Sequence, residues 1–355
     1  WASTFVEDFT DIFAVQDSIV ERVAATLQAK LDSKKPATKN VEAYQLYMKG
    51  RYHSAKLVQP DTLKAIGYFQ QAIEVDPNYA LAYVALANTY RRLSITSDIP
   101  SAQAMPKAKA AALKAIEIAP DLGEAYTALG LIDFWYDWDW RTAEKHFLRA
   151  SELDPNNAEA HHAYAHFLSN IGQHEKALAE AKRSRELDPV SMTNNALDGQ
   201  FLFFAGKTDE ALDELGKAID LDQTFWLTYL IISRVYEENG LHSEAIRAAS
   251  KAKELSPSAS ESSALIAYSL ARSGESEKAR IILKELVNLS DEKYVPPYNF
   301  ALIYNALGNS EKALNYLEKG FNEKDVRMAF LKVEPKWNNL RNEARFIALM
   351  QRMNF

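Results

Sequence analysis

Apolar and small residues return along this chain with a period of 34. Gly172, Gly206, Gly240, Gly274 and Gly308 follow one another at that interval, and five residues after each stands an alanine: Ala177, Ala211, Ala245, Ala279 and Ala313. The same frame carried backward meets Ala143, Ala108 and Ala65, which makes eight units. Seven residues further on lies a second small column, Ala72, Ala115, Ala150, Ser184, Ala218 and Ala252, broken by Leu286 and Gly320 in the last two units. Pro77, Pro120, Pro155, Pro189 and Pro257 punctuate the unit ends, with Gln223 and Asp291 in two others. Between these marks the apolar positions keep helical spacing, as at Ala177, Leu178, Ala181 and Leu187, the signature of one buried helix face.

Each column has a physical reason. A glycine after a helix adopts the left-handed conformation of a helix C-terminus at no steric cost. An alanine at a helix crossing lets two backbones approach. Proline lacks an amide donor, so it ends one helix and suits the first turn of the next. Each unit therefore reads as helix, tight turn, helix, turn, and a period of this length signals a repeat array.

The pattern resembles the tetratricopeptide repeat family over about residues 42–323. The aromatic and aliphatic positions of that family's first helix stand here as Tyr83, Leu86 and Tyr90, and as Tyr229, Ile232 and Tyr236. The resemblance implies an all-α, right-handed superhelical solenoid of about eight helical hairpins with capping helices at both ends. By frame count the first unit carries about five extra residues around Lys56–Gln59, the second about nine around Ser94–Ala102, and the third one in Tyr136–Trp140. Turns absorb such insertions at small entropic cost.

The expected organisation is a leading region over residues 1–40, the eight units over 41–323 and a capping segment over 324–355. Thr10–Leu31 reads as an amphipathic helix with its stripe at Ile12, Val15, Ile19, Val23, Leu27 and Leu31, expected to dock on the array or on a partner. Asp32–Asn40 reads as a linker. Trp1, Phe5 and the run Thr10–Gln16 are similar to the junction of bacterial signalling proteins that carry a TolB-like domain before such an array. Leu331–Pro335 and Phe346 are similar to their tail. That likeness implies a regulatory protein whose effector lies upstream, and the start at Trp1 suggests a fragment or processed product.

Composition narrows the chemistry. A formal charge of -7 argues against general attraction to phosphate backbones, so no nucleic-acid contact is expected from this region. No cysteine is present, which excludes disulfides and thiol catalysis. No apolar run is long enough to span a bilayer. The compartment is not fixed by this; the cytoplasm is the first reading, the periplasm the alternative if a membrane segment lies upstream.

Gly206-Lys207-Thr208 invites a phosphate-loop reading. Phe201 stands where that loop needs its first glycine, and a helix precedes it instead of a strand. His162 and His166, four apart on one helix, have zinc-ligand spacing, but no cysteine assists and Ala163 replaces the acid of a zinc-protease motif; packing or groove-lining imidazoles are the favoured reading. Trp135, Trp138 and Trp140 among Asp133, Asp137 and Asp139 are weighed as an aromatic platform and favoured as packing. Nothing composes a catalytic constellation, so no enzyme, no cofactor and no metal is expected.

The family resemblance places a concave groove along the first helices of the units. Mapped here it gives Gln45, Lys49, His53, Asn88, Arg91 and Arg92, then Phe134, Trp135, His162, His166, Gln200, Phe203 and Phe204. The later positions are Arg234, Glu237, Tyr268, Arg272 and Asn305. Phe203 and Phe204 are neighbours and so diverge by about 100°; at least one is expected to be partly exposed as an anchor for a ligand. The family's carboxylate-gripping set is not expected, since only Asn88 matches and Val84 stands where its lysine belongs. The expected function is a scaffold or sensory module that binds a peptide or protein segment, one with an acidic end and apolar side chains. A structural spacer or oligomerisation arm is the alternative, with a homo-oligomer as its consequence, and a small-molecule sensor the third reading.

Overall fold

A computed structural model describes residues 38–355. The expectations for Thr10–Leu31 and its linker fall outside the described residues, apart from Thr38–Asn40. Eight helical hairpins follow. Their first helices are α1 (Val41–Ser54), α3 (Ala80–Thr96), α5 (Gly123–Ile132), α7 (Ala158–Asn170), α9 (Met192–Phe204), α11 (Trp226–Glu238), α13 (Glu261–Arg272) and α15 (Pro297–Ala306). Their second helices are α2 (Gln59–Val75), α4 (Ser101–Ile118), α6 (Trp140–Leu153), α8 (His174–Leu187), α10 (Thr208–Leu221), α12 (His242–Leu255), α14 (Ser276–Ser290) and α16 (Ser310–Asn322). Two 3-10 turns, Val326–Phe330 and Pro335–Leu340, lead to α17 (Ala344–Arg352). The described residues contain no strand.

The repeat columns account for the local geometry. The five periodic glycines have φ between 72° and 90°. Each lies in a helix-ending motif in which the next amide reaches back to the previous turn, as in Gln173 N–H to the Leu168 carbonyl at 2.8 Å. The alanines of both columns are fully buried. Gly199 serves a closer approach: a Cβ there would lie 2.4 Å from Leu215 Cγ.

The two helices of a hairpin bury themselves differently. α8 buries only Ala177, Ala181 and Ser184, while α7 buries everything from His162 to Asn170. From the middle of the array onward the first helices are thus covered on both sides, by second helices outside and by groove contents inside, whereas the second helices keep a wet outer face; α1 buries only Ala43, Gly50 and Ser54.

The insertions are put to use. The extra residue of the third unit opens a π turn, Asp133–Asp137, at the end of α5, the usual way a helix absorbs one added residue. Trp138 then occupies the left-handed position, φ 56°, where later units have glycine. A bulky residue there is strained; its ring is buried, stacked on Phe321 at 5.2 Å with the Lys324 ammonium 4.2 Å above it. The second unit's insertion carries Asp98 across the superhelix to the start of α13, where its carboxylate accepts from Ser260 N–H at 2.9 Å and Ser260 Oγ–H at 3.0 Å.

The superhelix therefore closes on itself. Trp140 Nε1 donates to the Met353 carbonyl at 2.7 Å and its ring stacks on Phe355 at 4.4 Å. Arg327 donates to the Ile95 carbonyl at 3.2 Å. The C-terminal segment does more than cover the last unit: Phe346 and Leu349 of α17 pack in the core beside α16, while residues 326–340 run inside the concave face.

Candidate functional site

The concave face falls into three stretches. Over the last units it is filled by the chain's own tail. Arg234 on α11 and Glu261 on α13 form a short ion pair, Arg327 Nε donates to Glu261 at 3.2 Å, and Lys336 Nζ lies 3.1 Å from Glu334. Arg234 stands 3.9 Å from Glu334, and Arg327 3.6 Å from Asp325. The buried cations Arg234, Arg327 and Lys336 thus meet the buried acids Glu261, Glu334 and Asp325 in equal number. Burial raises the Glu261 pKa, but Arg234 and Arg327 outweigh it and hold the carboxyl below its usual value. Burial likewise pushes Glu334 up, and Lys336 and Arg234 bring it below. Asn305 donates to the Lys336 carbonyl at 2.7 Å, and Trp337 Nε1 to Tyr298 Oη at 3.0 Å.

Over the first three units the face is open. A cavity of about 1260 Å³ lies between α1, α3 and α5, reached by the ends of α4 and α6. Tyr44 and Met48, 41% and 42% exposed, line it together with Asn88 and the polar pair Arg51 and Arg92. The expected cationic start is offset, because Asp121, Glu124 and Glu159 line the same space and Arg92 lies 3.6 Å from Glu159.

Between the two lies a smaller cavity of about 290 Å³, enclosed by α3, the α5 end, α7, α9, α11 and the tail. Arg91, Trp135, His162, His166, Gln200 and Arg234 line it, and all are buried. Burial lowers His162 to about 4 and, with His162 and Arg91 nearby, takes His166 well below its ordinary value. Both imidazoles are therefore neutral at pH 7. Asp198, 3.9 Å behind His162 Nε2, is pushed up to about 7 by burial, which Arg185 only partly opposes. Burial and then the Arg92 charge lower the Arg91 guanidinium to about 9. Among the described residues no group of three or more His, Cys, Asp or Glu is placed to hold a metal ion.

The remaining mapped residues scatter. Lys49 and Arg272 are exposed and line neither cavity. His53 is tied to Asp61 at 2.6 Å and stacks on Tyr68. Tyr268 is buried beneath the Lys336 ammonium at 5.5 Å. Phe134 is core, against Phe167. The expected exposed anchor at Phe203 or Phe204 is overturned: they are 4% and 8% exposed, and Phe204 meets Phe330 of the tail at 6.1 Å. Two neighbouring rings are both buried because one helix face meets other helices and the other meets the tail. Trp135 is buried the same way, edge-on to Phe330 at 5.3 Å. The Trp-Asp cluster is likewise packed: Asp133 and Asp137 hold Lys109, and Asp133 accepts from His146 at 2.7 Å.

Comparisons with known proteins agree with this geometry. Family models described as "Tetratricopeptide repeat" match residues 68–104 and 146–179, and, in a second model, 207–331. The solved structure of the APC/C hetero-tetramer Cut9-Hcn1 superposes over 92% of this chain and 59% of its own, with TM-score 0.60 and 16% identity. The human IFIT1 dimer with PPP-AAAA does so over 74% and 68%, with TM-score 0.52 and 18% identity. Both likenesses are of fold. The transcriptional regulator HilA of Salmonella typhimurium, and that of Salmonella typhi, is 27% identical over 139 residues, 39% of this chain. The match spans a quarter of the length of these curated relatives.

The fold and the concave face define an all-α repeat scaffold. The chain belongs to the tetratricopeptide repeat family, whose members are protein–protein interaction scaffolds and typically non-enzymatic. Among the described residues no helix is long and apolar enough to cross a membrane.

Proposed function

We propose that this chain is the interaction module of a bacterial regulatory protein and that it holds a peptide or protein segment in the open stretch of its groove. The observation that carries this is the contrast in occupancy: the last units are filled by residues 326–340, while the first three leave about 1260 Å³ lined by exposed Tyr44 and Met48. Exposed aromatic and thioether side chains in a concavity are suited to anchor apolar side chains of a ligand. The mixed rim of Arg51, Arg92, Glu124 and Glu159 favours a segment carrying both charges over the one with only an acidic end and apolar side chains expected from sequence. Likeness to a transcriptional regulator over 139 residues supports the regulatory setting.

The test is selection of binders from a random peptide display library, followed by fluorescence anisotropy. Peptides selected on the native chain should bind a Tyr44→Ser, Met48→Ser variant at least about tenfold more weakly. Equal binding to both proteins would move the site elsewhere. The alternative of an oligomerisation arm draws on Val41, Tyr44, Met48 and Tyr52, an exposed stripe along α1; sedimentation equilibrium of the native chain distinguishes it by showing a dimer that the same variant dissolves.

A further inference from the structure

The tail network is balanced charge for charge, and the inner cavity is not. Arg91 is 8% exposed, yet among the described residues it has no hydrogen bond and no ion pair. Arg91 lines the cavity, and its Nε is buried without a partner. Arg234, Gln200, Trp135 and Trp226 border the same space, and Arg234 Nε, Gln200 Nε2, Trp135 Nε1 and Trp226 Nε1 are each buried in its wall without a partner. All of these atoms are N–H groups, which can only donate. The Nε2 atoms of His162 and His166, two more residues of the wall, are also buried without a hydrogen bond, although Asp198 lies 3.9 Å from that of His162.

The carboxylates on the wall are already engaged, Asp188 by Val190 N–H at 3.4 Å. Glu261 is held by Arg234 and Arg327, and Glu159 at the rim faces Arg92. Buried donors without acceptors are costly, and a buried cation without a paired counter-charge more so; Glu159 acts on Arg91 only from beyond ion-pair distance. Leu131, Leu227, Leu230 and Phe330 supply the rest of the lining, so the space accepts an apolar body next to that charge. At about 290 Å³ it sits at the lower end of small-molecule sites.

We propose that the inner cavity is a binding site for a small carboxylic acid, with its carboxylate on the Arg91 guanidinium and its apolar body against Leu131, Leu230 and Phe330. This goes beyond the peptide groove of the first units and stands without it. The bound acid would touch both the repeats and the tail, because Arg327 and Phe330 are part of the wall.

The experiment measures melting temperature of the full chain at pH 7, in plain buffer and with millimolar benzoate, hexanoate, benzamide or inorganic phosphate. Benzoate or hexanoate should raise it in a saturable way, while benzamide, the neutral counterpart of benzoate, should not. Arg91→Met should remove the response and Arg91→Lys should keep part of it. In plain buffer Arg91→Met should melt higher than the native chain, since it deletes an unmet buried charge. A lower melting point for Arg91→Met would make Arg91 a structural residue and overturn the proposal. So would the absence of any response to both acids, or an equal response to benzamide. Phosphate acting as strongly as benzoate would overturn the apolar half of the assignment. None of these readouts uses Tyr44 or Met48, so failure here leaves the peptide-groove test untouched.

Discussion

The first three units and the last three are built on one repeat, yet their concave faces do opposite work. In the first units Tyr44, Met48 and Arg51 face open space. In the last, Arg234, Glu261 and Asn305 are buried and bind the chain's own tail. A groove position is therefore neither surface nor core by its place in the repeat; what lies across from it decides. Polar side chains mapped as ligand contacts can equally be the fixings of an internal segment.

The difference can be broken most sharply at Arg327. Arg327→Met leaves Glu261 and Asp325 buried with one cation fewer, which should cost about 3–5 kcal/mol, as the loss of one partner of a buried pair does. Urea unfolding followed by circular dichroism should show it, and a change below about 1 kcal/mol would mean that the tail is held by its apolar side chains alone.

A smaller effect tests the frame common to both regions. Ala211→Leu and Ala245→Leu should each cost about 1–3 kcal/mol by overpacking a helix crossing, because both alanines are fully buried. Melting points unchanged from the native chain would displace the register by which all groove positions are assigned.

The boundary between the regions has a pH signature. Asp198, raised to about 7, keeps its proton in the native state where the unfolded chain has lost it, so it makes stability fall as pH rises from about 4 to 7. His162, lowered to about 4, stays neutral where the unfolded chain takes up a proton, so it makes stability rise from about 4 to 6.5. The two oppose each other. Asp198→Asn should gain stability over the native chain as pH rises from 4.5 to 7, by on the order of 1 kcal/mol, since one pKa unit is worth about 1.4 kcal/mol. Thermal melts at the two pH values check the sign, and a gap that shrinks toward pH 7 would mean that Asp198 is ionised throughout.

The smallest expected change is at the open end. Tyr44→Ser with Met48→Ser should alter stability by no more than about 0.5 kcal/mol, as surface substitutions do, while weakening peptide binding by at least about tenfold. A large loss would show that these side chains are packed, and would erase the contrast between the two ends.

The repeat frame was legible because it rests on local chemistry: glycine at left-handed positions and alanine at crossings declare themselves by spacing. Even the lone insertion of the third unit was countable, though its form as a π turn was not. The filling of the groove was not legible, because it depends on pairs such as Ile95 with Arg327 and Asp98 with Ser260, which no period relates. Phe203 and Phe204 show the limit well. Helical geometry correctly sends adjacent rings in different directions, but only the three-dimensional path of Phe330 shows that both directions are covered. One signal was available: Arg327, Glu334 and Lys336 crowd a short tail that also holds Phe330 and Trp337, a composition better suited to burial with partners than to a simple end cover.

The cross-superhelix bond from Asp98 to Ser260 has a consequence for how such a gene can change. Most repeat arrays lengthen or shorten by duplication or loss of a unit, since each unit touches only its neighbours. Here a unit added or lost between the second and the seventh would shift the pitch by one step. It would carry Asp98 past Ser260, Ile95 past Arg327 and Trp138 past Phe321. The number of units between those partners is thus held by closure, and this lineage is expected to vary its turns and its surface residues while keeping its count.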